Sequence, residues 1–261
     1  LGVNAGNSIA SGGNYNVVVG DEAGTAITTG DKNVFVGMLA GDATTTAGEN
    51  VAIGYDSLGT NILGSASVAV GPSALRTQNY GTATNAYNTA MGHFAGYAVT
   101  TGVNNTLIGG HAGDSLTDAD FNVALGSNAL IADTLGSRSV AIGYAALTSQ
   151  NFTTATDSNN VAVGMLAGAN VTTGTLNTLI GSLAGDALTV GNSNTALGQG
   201  ALSSDTKGDT SVAIGILALQ DQNFTTSTDV YNTAVGAFAG ENVTTGVRNS
   251  IIGGLAGDAL T

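Results

Sequence analysis

Two histidines, His93 and His111, are the side chains of this 261-residue chain best suited to acid–base or metal chemistry at neutral pH. Each stands one or two residues after a recurring glycine, at positions filled elsewhere by residues as different as Asp, Ser and Gly. Such variable positions are typical of turns that face solvent. A zinc or general-base site needs partners, and the pattern places no second His or Cys beside either ring. We therefore expect both histidines to be exposed turn residues without a catalytic role.

Carboxylates are the second group of candidate functional residues, since they could serve in catalysis or in calcium binding. Asp118, Asp120 and Asp133 lie in one repeat unit, and paired carboxylates can hydrolyse glycosidic bonds, but no equivalent cluster recurs and the sequence predicts no enzyme. Four other aspartates follow an Ala-Gly pair at 72-residue spacing, where a turn role is favoured and calcium binding is the alternative. The dense Gly-rich run of known calcium-binding repeats is absent, so no cofactor is predicted. These four aspartates are Asp42, Asp114, Asp186 and Asp258.

The composition excludes several functions. The chain has 18 acidic and 5 basic residues and a net charge of −13, so it lacks the basic surface that nucleic-acid binding requires. It has no cysteine, which excludes a disulfide framework, a thiolate metal site and a Cys nucleophile. No apolar run approaches the ~18 residues of a membrane-spanning helix, so we expect no membrane insertion. A hydrophobic content of 43% is enough to build a core, which argues against disorder.

A short repeat defines the elements that position these residues. Asn or Ser, two or three apolar residues and then Gly recur with glycine spacings of 17, 17, 17 and 21, so four units make a 72-residue super-repeat. The super-repeats cover about residues 16–87, 88–159, 160–231 and, in part, 232–261. The repeat glycines are Gly20, Gly37, Gly54, Gly71, Gly92, Gly109, Gly126, Gly143, Gly164, Gly181, Gly198, Gly215, Gly236 and Gly253.

The repeat predicts a parallel β-solenoid of about fourteen coils, each with two short strands and two turns. A segment such as residues 139–143 (Ser-Val-Ala-Ile-Gly) is β-branched and ends at a glycine turn, and 17 residues are too few for the usual helical repeats. Asn at a fixed position of every coil can form a hydrogen-bonded ladder. The predicted ladder consists of Asn16, Asn33, Asn50, Asn88, Asn105, Asn122, Asn160, Asn177, Asn194, Asn232 and Asn249.

Two adjacent strand positions are apolar in every unit, and adjacent strand residues point to opposite faces. One face fills the coil, and the other would be an exposed apolar stripe on a monomer. Copies of the same chain around a shared axis would bury it most simply, so the pattern predicts self-association without fixing the number of chains.

The strand motif resembles the YadA-like head repeats of trimeric autotransporter adhesins. Residues 139–143 and 211–215 (both Ser-Val-Ala-Ile-Gly) match its core, and residues 50–54 and 88–92 are close variants. The resemblance implies a left-handed parallel β-roll with three chains around one axis. The longer units, with Ala-Gly followed by Thr-Thr-Gly at residues 95–102, are more similar to repeats in tail-fibre-like proteins of bacteriophages.

Both resemblances imply an extracellular, homotrimeric attachment fibre that binds a host-cell surface glycan or protein receptor. The unit length favours a virion fibre, and a bacterial surface adhesin is the alternative. Because the chain begins and ends within units and shows no cap, we expect one continuous solenoid over residues 1–261 that is a fragment of a longer fibre.

Two surface features have alternative interpretations. Thr stands eight residues after the glycine in ten units, which suggests an ice-binding face, but no second Thr column runs beside it. The four-residue insertions after each fourth unit open loops with aromatic residues, which either contact sugars or proteins or fold back over the longer turn. The aromatic residues considered for surface contacts are Tyr80, Tyr87, Phe152, Phe224 and Tyr231.

Overall fold

The structure, a computed structural model, describes residues 2–261 as an all-β protein. The described residues contain no helix, and therefore none that could cross a membrane. Contacts between residues divide the chain into two compact units, residues 2–127 and Asn128–Thr261. Each unit is a parallel β-solenoid with seven coils, so the prediction of about fourteen coils at 17-residue spacing is confirmed.

Each coil contributes one three-residue strand that ends just before the repeat glycine. In the first unit the strands are β1 (Val17–Val19), β2 (Val34–Val36), β3 (Val51–Ile53), β4 (Gly64–Ser65), β5 (Val68–Val70), β6 (Thr84–Asn85), β7 (Thr89–Met91), β8 (Thr106–Ile108) and β9 (Val123–Leu125). In the second unit they are β10 (Gly136–Ser137), β11 (Val140–Ile142), β12 (Thr156–Asp157), β13 (Val161–Val163), β14 (Thr178–Ile180), β15 (Thr195–Leu197), β16 (Gly208–Asp209), β17 (Val212–Ile214), β18 (Thr228–Asp229), β19 (Thr233–Val235) and β20 (Ser250–Ile252).

The register of the three-residue strands is the same throughout each unit. Val34 lies opposite Val51 across a 17-residue spacing, and Val140 lies opposite Val161 across the 21-residue spacing. The four extra residues are therefore taken up within the turns and leave the strand ladder unchanged. The three insertions each come with one pair of two-residue parallel strands, namely β4–β6, β10–β12 and β16–β18.

Turns complete each coil, where the sequence analysis expected a second strand. Every coil has four positions with positive φ, which in one coil are Asn104 (58°), Gly109 (135°), His111 (58°) and Gly113 (57°). Left-handed residues at this frequency bend the backbone away from an extended conformation, so a second strand of comparable length cannot form. Hydrogen bonds nevertheless connect successive coils through the turns, as from His111 N to the carbonyl of His93 (2.9 Å).

Two positions inside the coils contribute to the core, and in most coils one of them holds a large residue and the other a small one. One position is the middle strand residue, and the other lies four residues after the repeat glycine. Leu107 faces Gly113, where an added Cβ would lie 2.7 Å from the leucine side chain, whereas Ala141 is combined with Leu147. The leucines and alanines named here are fully buried. Protein interiors are close-packed, so a large residue at one position requires a small one at the other.

Candidate functional site

The Asn column forms repeated hydrogen bonds between coils. The side-chain oxygen of Asn177 accepts from the backbone N–H of Asn194 (3.0 Å), and its Nδ2 donates to the carbonyl of Gly191 (2.8 Å). A direct amide-to-amide bond also occurs, from Asn33 Nδ2 to Asn16 Oδ1 (3.2 Å). All ladder asparagines except the first and the last are buried. The predicted ladder thus exists, but its amides mainly bridge backbone groups of neighbouring coils.

Buried glutamines, which the sequence analysis missed, continue this network where Ser replaces Asn. Gln222 Nε2 donates to Ser211 Oγ (2.9 Å) and to Asp205 Oδ2 (2.6 Å), and its Oε1 accepts from Asn232 Nδ2 (2.8 Å). A glutamine bridges the equivalent Ser and Asn at two other places, Gln78 and Gln150. A Ser–Gln pair therefore replaces one ladder amide in each of these coils.

A sequence signal for these glutamines exists seven residues after each repeat glycine. In two complete super-repeats this position reads Val, Leu, Asp and Gln in order, and the first has Ile, Thr, Asn and Gln. Except for Leu260 in the last coil, the structure buries this column in the coil interior, so the polar members require partners there. The neighbouring column, eight residues after the glycine, is the more conspicuous one in the sequence because Thr recurs there, but it lies nearer the surface.

Asp133 belongs to this buried column and not to a carboxylate pair. Its oxygens accept hydrogen bonds from Gln150 Nε2 (2.6 Å) and from the backbone N–H of Phe152 (3.1 Å). The two carboxylates considered with it are bonded elsewhere, Asp118 to Thr101 Oγ1 (2.6 Å) and Asp120 to the backbone N–H of Val103 (2.7 Å). Each of the three carboxylates thus has its own donors.

Asp205→Asn is expected to lower the free energy of unfolding less than Asp205→Leu, for which we expect a loss of about 2–4 kcal/mol. Asp205 Oδ1 accepts from the N–H groups of Gly208 (3.0 Å) and Phe224 (3.1 Å), and an amide oxygen can accept in this place, as Asn61 accepts from the N–H of Gly64 (3.0 Å) at the equivalent position. Leucine fits the space, since Leu188 occupies this column one coil earlier, but a leucine side chain cannot accept a hydrogen bond. Urea denaturation of the three proteins measures the difference. Equal stability of both variants would contradict the bonding role.

The aromatic residues of the insertions fall into two groups. Tyr80, Phe152 and Phe224 are buried, so they cover the longer turn from inside and cannot form the contact surface considered for them. The hydroxyl of Tyr80 donates to the carbonyl of Gly102 (2.7 Å), and burial raises the pKa of this phenol. Tyr87 is different, because it stands just before a ladder asparagine in a left-handed turn and is 58% exposed.

Tyr231 lies at the equivalent turn position in the second unit and is 51% exposed. Of the five aromatic residues considered for surface contacts, only Tyr87 and Tyr231 therefore present their side chains to solvent. The two positions are related by the repeat, so they reflect the geometry of the turn and do not form one cluster.

The two histidines do have side-chain partners, contrary to the expectation from the sequence. The ring centroids of His93 and His111 are 5.5 Å apart, and His111 Nδ1 lies 2.8 Å from Asp114 Oδ2. Phe94 contacts both imidazoles, with its centroid 4.0 Å from His93 and 5.4 Å from His111. The two histidines stand in different columns of the repeat, so the repeat pattern does not place their rings together, although the two coils are adjacent.

The four repeated aspartates have different surroundings. Asp114 is paired with His111, and Asp258 is exposed. Asp42 and Asp186 each have one buried carboxylate oxygen without a hydrogen-bond partner, and burial is the main cause that raises the pKa of both. Among residues 2–261, no three or more His, Cys, Asp or Glu side chains are grouped so that they could hold a metal ion.

The outward face of the strands forms a continuous apolar column in each unit. The middle strand residue points inward, and the residue immediately before the repeat glycine points outward and is always Val, Ile, Leu or Met. Met91 in the first unit and Leu197 in the second are each 43% exposed. Val or Thr, and once Ser, stands two residues earlier on the same side of the strand. We call these two columns together the outer strand face.

The fold defines the chain as a parallel β-solenoid repeat protein. No family model matches its sequence, and no curated protein matches it significantly. The properties of the solenoid itself, above all its outer strand face, are therefore the basis for a functional proposal.

Proposed function

We propose that this chain is a non-enzymatic, structural and adhesive segment of an extracellular attachment fibre made of three parallel copies. The outer strand face is the observation that carries the proposal. Within each unit it lines up an apolar side chain from every coil, and soluble monomers rarely expose a contiguous apolar surface of this kind. A parallel partner of the same sequence has the same spacing between coils and can match the line along its whole length.

The arrangement of charge is compatible with such a fibre. The outer strand face contains no charged residue, while the chain as a whole has a net charge of −13. Apolar contact can therefore hold copies together along this face, and the acidic remainder keeps the assembled fibres apart from one another.

The YadA-like strand motif supports three chains and a left-handed winding. The 17-residue units with Thr-Thr-Gly turns support a virion fibre of the bacteriophage tail-fibre type, and the Ser-Val-Ala-Ile-Gly motif itself supports the second candidate, the head of a bacterial trimeric adhesin. In both cases the 72-residue super-repeat gives each chain several equivalent turns. Weak contacts with a host-cell glycan or protein then add through multivalency.

Charges on the outer strand face are expected to dissociate the assembly. The double variant Met91→Asp/Leu197→Asp should shift the solution mass from three chains to one at micromolar concentration, because unpaired carboxylates would become buried between chains. Light scattering measures the mass, and circular dichroism checks that the coils remain folded. The matched control is Thr153→Asp/Thr225→Asp, which adds the same charge at exposed turn positions. A double variant with the same mass as the unmodified chain would contradict the proposed contact.

A further inference from the structure

A group of rings on the turns of the first unit is not used by the outer strand face. It consists of His93, Phe94, Tyr97 and His111 together with Asp114, and we call it the ring cluster. Phe94 and Tyr97 meet edge to face, with centroids 5.0 Å apart and an angle of 88° between the ring planes. Phe94 also contacts the two imidazoles, as described above. The four rings are thus grouped on the turns of two adjacent coils instead of being spread along the solenoid.

An open cavity of about 340 Å³ lies at the ring cluster. It is lined by Phe94, Tyr97, His111 and Asp114. This volume is at the lower end of the range for small-molecule sites, ~300–1,000 Å³. The perpendicular phenyl and phenol rings form a floor and a wall. A flat ligand with an apolar face can therefore lie on one ring while its edge contacts the other.

The polar atoms around the cavity are held in place by other side chains. Asp114 accepts from His111 Nδ1, so the neutral imidazole keeps Nε2 as an acceptor for a ligand. Arg76 donates from Nη1 to the hydroxyl oxygen of Tyr97 (3.2 Å), so the hydroxyl hydrogen can point to a ligand. Arg76 also forms an ion pair with Asp56. Because Asp56 balances the charge of the Arg76 guanidinium, this arginine does not make the site attractive to an anion.

The ring cluster occurs once in the chain, although its backbone positions recur every 72 residues. Phe94 corresponds to Glu22, Leu166 and Phe238, Tyr97 corresponds to Thr25, Ala169 and Glu241, and His111 corresponds to Leu39, Leu183 and Leu255. The aspartate alone is present in all four places. Because the same turn folds with Leu or Ala at these positions, the rings are not needed to form the turn. Their presence in one place therefore calls for a role other than folding.

We propose that the ring cluster binds one or two neutral sugar residues of a glycan. A pyranose ring has an apolar C–H face that packs on Phe94 or Tyr97, and hydroxyl groups that can donate to His111 Nε2 and accept from the Tyr97 hydroxyl. The assignment rests on the proposed attachment function for its biological meaning, since it gives the fibre a receptor class. It does not depend on three chains, because all residues of the cavity belong to one unit of one chain.

Saturation-transfer NMR tests the proposal with the methyl glycosides of glucose, galactose, mannose, N-acetylglucosamine and N-acetylgalactosamine as probes. At least one probe should bind saturably and shift the ring-proton resonances of His111. Tyr97→Ala and His111→Leu should each weaken this binding at least tenfold, and both substitutions copy residues that the chain already has at equivalent positions. Phe238→Leu is the matched control, since Phe238 occupies the position of Phe94 without the other rings, and it should bind as the unmodified chain does.

The possible outcomes separate this proposal from the fibre proposal. Absence of saturable binding for all five probes at tens of millimolar, or equal binding by the two site variants, overturns the sugar site whatever the solution mass is. If the two site variants change the solution mass but no probe binds, the rings contact another copy of the chain and the sugar site is also overturned. Saturable binding that is lost in both variants supports the site even if the chain is a monomer, a result that would contradict only the fibre.

Discussion

Gly109→Ala is expected to prevent folding of the first unit or to lower its free energy of unfolding by more than about 3 kcal/mol. Gly109 follows strand β8 with φ of 135°, a conformation that residues with a Cβ rarely adopt. An added Cβ would also lie 2.5 Å from the carbonyl oxygen of Gly126 in the next coil. Because that atom belongs to the backbone ladder, it cannot move away without breaking the coil-to-coil register. Circular dichroism and urea denaturation measure the effect.

The adjacent Gly110 is the control for this prediction. A Cβ at Gly110 has no atom within 4 Å, and its φ is not in the left-handed region. Gly110→Ala should therefore leave the stability within about 1 kcal/mol of the unmodified chain. Two variants that differ by one position in sequence are thus expected to differ strongly in stability. If Gly109→Ala unfolds at the same urea concentration as Gly110→Ala, the coils are not as closely stacked as described.

Asn177→Ala is expected to lower the free energy of unfolding by about 2–5 kcal/mol. The substitution removes the acceptor of the Asn194 N–H and the donor to the Gly191 carbonyl, and Asn177 itself is fully buried. Water cannot reach the Asn194 N–H or the Gly191 carbonyl to replace the lost hydrogen bonds, so both groups stay buried without a partner for the bond that is lost. Urea denaturation followed by circular dichroism measures the loss.

Asn170→Ala provides the matched control. Asn170 also donates from its side chain to a backbone carbonyl, that of Asp186 (2.8 Å), but it lies at the surface where water can replace the bond. Its removal should cost less than about 1 kcal/mol. Similar losses for Asn177→Ala and Asn170→Ala would show that burial of the ladder does not determine its contribution.

The fold could be predicted from the sequence because the same strand motif and glycine turn occur in fourteen coils. Asn177, Asn194 and the strand glycines occupy fixed positions, so a role inferred at one coil applies to the next. The number of strands per coil was wrong, since positive φ at a non-glycine residue such as His111 leaves no mark in the residue type. Coil-to-coil hydrogen bonds impose that conformation on residues that do not favour it by themselves.

The surroundings of particular side chains were harder to predict than the coils. Gln222 and Asp205 are polar residues in a column that alternates between apolar and polar pairs, and hydrogen bonds to each other and to neighbouring groups make their burial acceptable. His93 and His111 stand in different columns, so a comparison within columns could not bring their rings together. Contacts between neighbouring columns depend on how the turns stack, and the repeat pattern alone does not give that geometry.

The outer strand face and the ring cluster suggest a division of roles within one chain. The outer strand face is regular, uncharged and present in every coil, as expected of a surface that meets identical copies along its length. The ring cluster is irregular and occurs once, as expected of a site that binds a different molecule. The buried ladder connects the two, because it holds successive turns in register and thereby keeps the rings of adjacent coils in contact.

The solution mass of the purified 261-residue chain, measured by light scattering over a range of concentrations, tests the proposed fibre most directly. We expect a constant mass of three times the 25.4 kDa of one chain, because copies of the chain cover the outer strand face. A folded chain with the mass of one copy at every concentration would contradict the account, since the outer strand face would then be stable in water without a partner.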